Sequence, residues 1–170
     1  GEDSILDEDL IPREEVVITI THTGYIKRLP ANTYRSQKRG GRGVVGMETK
    51  SEDFVEHLFV TNSHHYLMFF TDKGKAYRLK AYEIPELSRT ARGTPIINLI
   101  QIEQGETVNA VIPVESFDTD KFLFFATRHG VVKKTPLEDY VNIRKGGLIA
   151  VNLREDDSLI DVKLTDGQQE

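Results

Sequence analysis

The residues best suited to binding a ligand form one seven-residue segment in the first third of the chain. It combines three cations with three glycines, in the order Gln37, Lys38, Arg39, Gly40, Gly41, Arg42 and Gly43. Glycine lets the backbone approach a ligand without obstruction by a Cβ atom, and guanidinium groups donate strong hydrogen bonds to phosphate oxygens. The segment predicts a phosphate-binding loop, and a flexible basic surface loop is the alternative.

The same segment overlaps a nucleotide-binding pattern. Gly41, Gly43 and Gly46 have the spacing Gly-x-Gly-x-x-Gly, but that fingerprint needs a buried strand before it and a helix after it. A polar, basic stretch comes before these glycines and only a short apolar run comes after. Dinucleotide binding is therefore disfavoured.

Residue patterns typical of catalytic or metal centres are missing from the sequence. The chain has no cysteine, which excludes disulfides, thiolate nucleophiles and thiolate zinc sites. His64 and His65 are adjacent and lack the spacing of a zinc-binding helix, so we expect them in a loop. Tyr25, Tyr77 and Tyr82 are expected to pack in or beside strands. We therefore predict no catalytic residue, metal or cofactor in this chain.

Three repeats are expected to position the basic segments. The spacing Thr-x-x-Gly recurs with its glycine at Gly24, Gly74 and Gly130, which are 50 and 56 residues apart. Short runs of β-branched and aromatic residues precede these turns and predict buried strands, at 16–20, 67–70 and 122–126. Mixed strands follow the turns, at 25–29, 76–80 and 131–135.

A second glycine in each repeat, Gly43, Gly93 and Gly147, is expected to open a third strand. These strands are predicted at 44–47, 94–99 and 148–153, and a fourth strand is predicted at 55–61, 108–114 and 159–165. Four short antiparallel strands make one blade of a propeller, and periods of about 40–50 residues are typical of such arrays. The predicted fold is all-β, with three four-stranded blades at residues 16–65, 66–119 and 120–170 after an acidic linker at 1–15.

Charge is segregated in the same way in each repeat. Residues 22–46, 73–95 and 128–147 carry net charges of +6, +4 and +3, so the rest of the chain carries −18 against a formal total of −5. The residue four after each first glycine is basic. Repetition should align these charges into a rim that could follow a phosphate backbone. Besides the glycine-rich segment, the predicted DNA-binding cations are Lys27, Arg28, Arg35, Lys75, Arg78, Arg89, Arg92, Lys133, Lys134, Arg144 and Lys145.

Residues 37–43 resemble the gyrase A box, whose usual form is Gln-Arg-Arg-Gly-Gly-Lys-Gly. This sequence departs from it only by Lys38 and Arg42, and both exchanges keep the charge. The likeness to the DNA-wrapping C-terminal domain of bacterial gyrase A proteins extends from about Ile11 to Gly167. It implies a six-bladed β-pinwheel that bends DNA around its basic perimeter, with this chain as its first half.

The resemblance also implies the partners. It predicts double-stranded DNA, the rest of gyrase A and the gyrase B protein, with no membrane and a cytoplasmic location. DNA cleavage and the ATP and Mg²⁺ chemistry would belong to other parts of the holoenzyme, an ATP-dependent type IIA topoisomerase. The equivalent domain of topoisomerase IV, which has a degenerate or missing box, and a propeller-like protein-interaction scaffold are the alternatives.

Overall fold

The computed structural model describes residues 8–32 and 53–166. The glycine-rich segment 37–43, Arg35 and the predicted strand 44–47 lie outside these residues. The elements described over their full extent are eleven β-strands and three short 3₁₀ helices, so the prediction of an all-β chain is confirmed. The strands are β1 (Glu15–Thr21), β2 (Tyr25–Pro30), β3 (Val55–Asn62), β4 (Tyr66–Thr71), β5 (Lys75–Lys80), β6 (Thr94–Pro95), β7 (Val108–Val114), β8 (Phe122–Thr127), β9 (Val132–Pro136), β10 (Leu148–Ile149) and β11 (Leu159–Thr165). The 3₁₀ helices are Ala81–Glu83, Ile96–Asn98 and Leu137–Tyr140.

The strands form three antiparallel sheets, one for each repeat. Their strand orders are β3-β1-β2-β6, β10-β5-β4-β7 and β11-β8-β9. In each sheet the apolar strand of the repeat lies in the middle, between the mixed strand and the last strand. The central strands β1, β4 and β8 therefore bury the runs of Val, Ile and Phe that the sequence concentrates there.

The recurring Thr-x-x-Gly turns join the first two strands of each sheet. The glycine amide donates to the threonine carbonyl oxygen in all three turns, at 2.9–3.0 Å. Gly24, Gly74 and Gly130 have φ values of 93°, 83° and 89°, a region in which only glycine is free of strain. The threonine hydroxyl accepts a bond from the amide after the glycine, which explains why the repeat uses threonine.

An acidic residue two positions before the last strand of each repeat fixes the same turn. Asp53 accepts bonds from the amide and hydroxyl of Thr23, at 3.0 and 2.6 Å. Glu106 accepts a bond from the Thr71 hydroxyl at 2.5 Å. Asp157 accepts one from the His129 amide at 3.0 Å. Each repeat therefore uses one carboxylate to fix its Thr-x-x-Gly turn.

The electrostatic environment of these carboxylates agrees with their bonding. Burial alone would raise the pKa of Asp53, but bonds from Thr23, Thr21 and the Phe54 amide lower that pKa below its ordinary value. The pKa of Asp157 is lowered in the same way, against desolvation, by the Thr127 hydroxyl and two backbone amides. Both aspartates are therefore held in the ionised form.

The predicted third strands are wrong in extent and in partner. The structure has strand only at β6 and β10, two residues each, where 94–99 and 148–153 were predicted. Strand β6 pairs with β2, and β10 pairs with β5, so each joins the sheet of the preceding repeat. Residues 96–98 turn into a 3₁₀ helix instead of continuing the strand.

The third sheet has three strands within the described residues. Strand β2 pairs with β6 through Tyr25 and Ile26, and β5 pairs with β10 through Lys75 and Ala76. No described strand pairs with the corresponding edge of β9. Val132 there is 67% exposed, whereas the equivalent Ile26 and Ala76 are fully buried.

The described chain divides into two compact units, each with its own core. The first contains the residues up to His65 together with Lys80–Ile96, and the second contains Tyr66–Leu79 and the residues from Ile97 onward. In the second unit the rings of Phe70 and Phe125 meet edge to face, with centroids 5.6 Å apart. Leu123, Leu137 and Leu159 complete this core and are fully buried.

Part of the predicted linker is held against the first unit. The Ser63 hydroxyl donates to the Pro12 carbonyl oxygen at 2.7 Å, and His64 Nε2 lies 2.8 Å from the Ile11 carbonyl oxygen. Tyr82 donates its hydroxyl proton to the Glu8 carboxylate at 2.6 Å, and this bond lowers the pKa of Glu8. The segment from Glu8 onward therefore packs on the first unit.

Candidate nucleic-acid interface

The ten predicted rim cations that the structure describes fall into three groups by exposure. Six are exposed, three are half-buried and one is buried. The exposed residues are Arg89, Arg92, Lys133, Lys134, Arg144 and Lys145, the half-buried ones are Arg28, Lys75 and Arg78, and the buried one is Lys27. Exposure is required of a group that contacts phosphate, so the six exposed cations are the best candidates for DNA contact.

Arg89 and Arg92 lie in a loop of the first unit, residues 88–93. In the sequence this segment ends at the second glycine of its repeat, as residues 37–43 do in theirs. The Arg92 guanidinium lies over the Tyr25 ring, with its central carbon 4.0 Å from the ring centroid. Stacking on an aromatic face restrains a guanidinium and leaves its edge free for hydrogen bonds. The loop therefore presents one restrained cation and a second exposed one.

Gly93 ends this loop with a close approach to β2. Its φ is 118°, and a Cβ atom built on it would lie 3.0 Å from the Ile26 carbonyl oxygen. The Leu87 amide donates to the Arg28 carbonyl oxygen just before the loop, at 3.3 Å. Both ends of the loop are thus fixed to one strand.

Lys27 is a buried residue of β2, only 6% exposed. Its Nζ donates to the carbonyl oxygens of Ser88, Arg89 and Ala91, at 3.1, 2.7 and 2.8 Å. Burial lowers the pKa of this ammonium group, and the three carbonyl oxygens compensate by stabilising its charged form. The geometry does not fit the prediction that Lys27 is a rim cation, because its three protons are used inside the protein.

Arg28 and Arg78, four residues after their turn glycines, are also engaged within the protein. Arg28 Nε donates to the Ile84 carbonyl oxygen at 2.8 Å, and the Glu86 carboxylate lies 3.3 Å from its Nη1. Arg78 donates to the Val141 carbonyl oxygen at 2.9 Å, and its guanidinium lies over the rings of Tyr66 and Phe117. Their charges are therefore partly committed to holding loops and rings in place.

Three lysines of the second unit lie along rings or backbone. Lys134 Nζ is 4.3 Å from the Phe122 ring centroid, and Lys75 Nζ is 5.3 Å from that of Tyr77. Lys133 donates to the Ala150 carbonyl oxygen at 2.9 Å. Lys133 and Lys134 are nevertheless exposed and Lys75 is half-buried, so these lysines can still contribute positive charge to the surface.

Arg144 and Lys145 form the second exposed basic loop, residues 142–147, in the second unit. Gly147 ends this loop at φ 86°, and a Cβ atom on it would lie 2.8 Å from the Tyr77 ring. Gly147 therefore occupies the position in its loop that Gly93 occupies in loop 88–93. Tyr77 is the strand residue equivalent to Lys27, since each lies three residues after its turn glycine. Neither Arg144 nor Lys145 forms an ion pair with any other described residue.

The three tyrosines considered for chemistry have packing or bonding roles. Tyr77 is 1% exposed and donates to Glu106 at 3.1 Å, and burial together with this carboxylate raises its pKa. Tyr82 bonds to Glu8, and Tyr25 supports Arg92. Residues 8–32 and 53–166 contain no group of three or more His, Asp or Glu side chains arranged to hold a metal ion. None of the helices in the same ranges is long and apolar enough to cross a membrane.

Sequence reasoning missed Asp53, Glu106 and Asp157 as the residues that fix the turns. Their signal was available, because each repeat carries an acid two residues before its last strand. It also missed the loop-holding role of Lys27. No pattern in the sequence distinguishes a buried lysine from an exposed one in an alternating basic strand.

Comparison with known proteins agrees with the repeat architecture. The family model for the DNA gyrase C-terminal domain, beta-propeller, matches residues 15–62, 65–115 and 121–166. The DNA gyrase A protein of Halalkalibacterium halodurans is 64% identical over 170 residues, which are 100% of this chain and 20% of that protein. The corresponding protein of Clostridium acetobutylicum is 53% identical over 170 residues, again 100% of this chain and 20% of that protein. The chain thus spans about one fifth of the length of these relatives.

Two solved structures have the same fold. The C-terminal domain of DNA topoisomerase IV superposes with a TM-score of 0.79 at 31% identity, covering 93% of this chain and 48% of that one. The DNA gyrase A C-terminal domain superposes with a TM-score of 0.64 at 23% identity, covering 89% and 48%. Because the family model covers most of the chain in three consecutive matches, the chain belongs to the DNA gyrase C-terminal domain family, with the beta-propeller fold of that family.

Proposed function

We propose that this chain binds duplex DNA without sequence preference and bends and wraps it, so that DNA gyrase can introduce negative supercoils. The observation that carries the proposal is the repetition of exposed basic loops. Residues 88–93 and 142–147 each present two exposed cations and end in a glycine packed against the preceding repeat's strand. Residues 37–43 have the same position in the sequence of the first repeat and are more basic than either of these segments.

Repeated loops suit bending better than a single strong site does. Bending 20–30 base pairs by 40–90° costs on the order of 1–6 kcal/mol. Contacts to phosphate supply most of the affinity of nonspecific DNA binding, and they are distributed along the backbone. Several loops at repeating positions can hold successive phosphates of a curved duplex, whereas one loop holds only a short stretch.

The proposed partners follow from this role. They are double-stranded DNA, the remainder of gyrase A and the gyrase B protein. We place DNA cleavage, ATP and Mg²⁺ in those other parts, and assign none of them to the residues of this chain. The role of this chain is therefore to supply geometry and positive charge.

A topoisomerase IV domain is the second candidate function. The superposition with that enzyme's C-terminal domain favours it, and it would also bind DNA. The assignment to gyrase is supported by residues 37–43 and by the 64% identity to a gyrase A protein. Negative supercoiling separates the two candidates, since gyrase alone introduces it.

Salt dependence of DNA binding tests the electrostatic basis. Filter binding with plasmid DNA should give log affinity falling with log salt by about 0.9 per phosphate neutralised. Four contacts from the two exposed loops alone predict a slope of about −3.6. Two plasmids of unrelated sequence should bind with equal affinity. A protein-interaction scaffold would give no measurable DNA binding at low or at high salt.

Substitution of the glycine-rich segment tests the assignment to gyrase. In the holoenzyme, Lys38→Ala, Arg39→Ala and Arg42→Ala together should abolish wrapping and negative supercoiling while strand cleavage and ATP-driven relaxation persist. Arg154, an exposed cation outside the predicted interface, provides the matched control as Arg154→Ala. A triple variant that supercoils at the wild-type rate would contradict the proposed role of residues 37–43.

A further inference from the structure

The loop 88–93 of the first unit has an unusual internal support. Lys27 Nζ, buried in β2, donates to three carbonyl oxygens of this loop, those of Ser88, Arg89 and Ala91. The arrangement fixes the direction of the peptide groups along the loop.

The direction of the amide groups follows from peptide geometry. The chain has no cis peptide bond among its described residues, and in a trans peptide the N–H points opposite to the C=O. The three bonded carbonyls share their peptide groups with the amides of Arg89, Thr90 and Arg92. These three N–H groups therefore point away from Lys27, and the residues that carry them, Arg89, Thr90 and Arg92, are exposed.

Within the described residues nothing accepts a hydrogen bond from these three amides. The only internal amide bond of the loop joins the Ala91 amide to the Ser88 carbonyl oxygen at 3.1 Å. Successive backbone N–H groups in a turn can form an anion-binding site, and Arg89 and Thr90 supply two successive ones. The Arg89 and Arg92 side chains add two guanidinium groups to the same surface, one of them restrained by Tyr25.

We propose that loop 88–93 is a preformed phosphate-binding site for the nucleic-acid backbone, and that Lys27 is its positioning residue. This proposal rests on the proposed DNA-binding function and specifies which groups act there. Lys27 does not touch the phosphate. It holds the carbonyl groups inward, so that amides and guanidinium groups face the ligand together.

The second basic loop provides an internal comparison. In loop 142–147 the strand residue equivalent to Lys27 is Tyr77, which donates its proton to Glu106 and to no carbonyl group of the loop. That loop offers Arg144 and Lys145 as charges, and among the described residues no buried cation donates to its carbonyl groups. The proposal therefore gives different roles to two loops that look alike in sequence.

A thermodynamic cycle tests the positioning role in the full natural polypeptide. Affinity for a short duplex DNA is measured for the wild type, Lys27→Met, Arg89→Ala/Arg92→Ala, and the combination of all three. We expect Lys27→Met and the double arginine variant each to lose roughly tenfold in affinity, and the combined variant to lose little more than either. Such non-additivity is the signature of residues that act through one element.

Contrary outcomes separate this inference from the proposed function. Lys27→Met with wild-type affinity, or losses that multiply in the combined variant, would overturn the positioning role while DNA binding by the protein stands. A wild-type protein that fails to bind duplex DNA would overturn the proposed function itself. Arg144→Ala/Lys145→Ala is the control, and its loss should multiply with that of Lys27→Met.

A second pair of variants tests the amides without altering Lys27. Arg89→Pro and Arg89→Ala both remove the guanidinium, but only Arg89→Pro also removes an outward N–H. Residue 89 is the second residue of the turn that the Ala91 amide closes on the Ser88 carbonyl oxygen, a position where proline is favoured. We expect Arg89→Pro to bind duplex DNA several-fold more weakly than Arg89→Ala at equal salt. Equal affinities would overturn the amide site, and this comparison remains valid should Lys27→Met fail to fold.

Discussion

Replacing Glu106 by alanine should strongly destabilise the second unit. This carboxylate is 8% exposed and accepts bonds from the hydroxyls of Thr71 and Tyr77 and from the Glu103 amide, at 2.5, 3.1 and 2.8 Å. Its removal leaves three donors without their acceptor. The Thr71 and Tyr77 hydroxyls are buried, and each buried unsatisfied donor costs about 1–3 kcal/mol, so we expect a loss of roughly 2–6 kcal/mol.

Two further variants make this prediction specific. Glu106→Gln keeps the shape and one acceptor oxygen, so it should lose only about 1–2 kcal/mol. Glu103→Ala removes an exposed side chain but keeps the amide that bonds to Glu106, and it should lie within about 0.5 kcal/mol of the wild type. Urea unfolding followed by circular dichroism measures all three. The reasoning is refuted if Glu106→Ala unfolds within about 0.5 kcal/mol of the wild type.

Two other predictions concern the turns. Gly74→Ala should destabilise the chain far more than Gly130→Ala, because both glycines have positive φ but only at Gly74 would a Cβ atom collide with the Val151 carbonyl oxygen; equal changes in melting temperature would contradict this. The free energy of unfolding should also fall as the pH drops below about 3.8. The pKa values of Asp53 and Asp157 are lower in the folded chain than this ordinary value. The unfolded chain therefore binds more protons than the folded chain in this pH range, which favours unfolding. Asp53→Asn/Asp157→Asn should therefore be less stable at pH 7 and show a shallower decline in melting temperature between pH 5 and 2, whereas a decline as steep as that of the wild type would disagree.

The central strands could be predicted from sequence because their signals are local. Runs of β-branched and aromatic residues end at Thr-x-x-Gly, and the structure places β1, β4 and β8 at those runs. The turn itself needs positive φ at one residue, and a glycine in the sequence predicts that position. Pattern and propensity agree at these positions, so no long-range information was required.

The third strands could not be predicted correctly because pairing decides their extent. Residues 94–95 and 148–149 become strand only where they lie beside β2 and β5 of the preceding repeat. Beyond those two residues the preceding repeat offers its turn glycine and no longer a strand, because the Ile96 and Ala150 amides donate to the Gly24 and Gly74 carbonyl oxygens. Residues 96–98 then adopt a 3₁₀ helix. Pairing between repeats is a tertiary effect that a repeat considered alone does not contain.

The predicted basic surface was overestimated at particular residues for a similar reason. Sequence reveals the charge of Lys27, Arg28 and Arg78 but not the carbonyl groups and rings that each one meets. The loop cations Arg89, Arg92, Arg144 and Lys145 were predicted as surface groups, and the structure leaves them exposed. Their contact with DNA stays a prediction.

Wrapping of DNA is the central claim, and it can be measured on closed circular DNA. The DNA is relaxed by a separate nicking and closing enzyme in the presence of increasing amounts of the full natural polypeptide, without ATP, and is then freed of protein. We expect the mean linking number to shift steadily with bound protein, and the shift to shrink at high salt as phosphate contacts weaken. A protein that saturates the DNA and leaves the distribution of linking numbers unchanged would contradict wrapping by this chain.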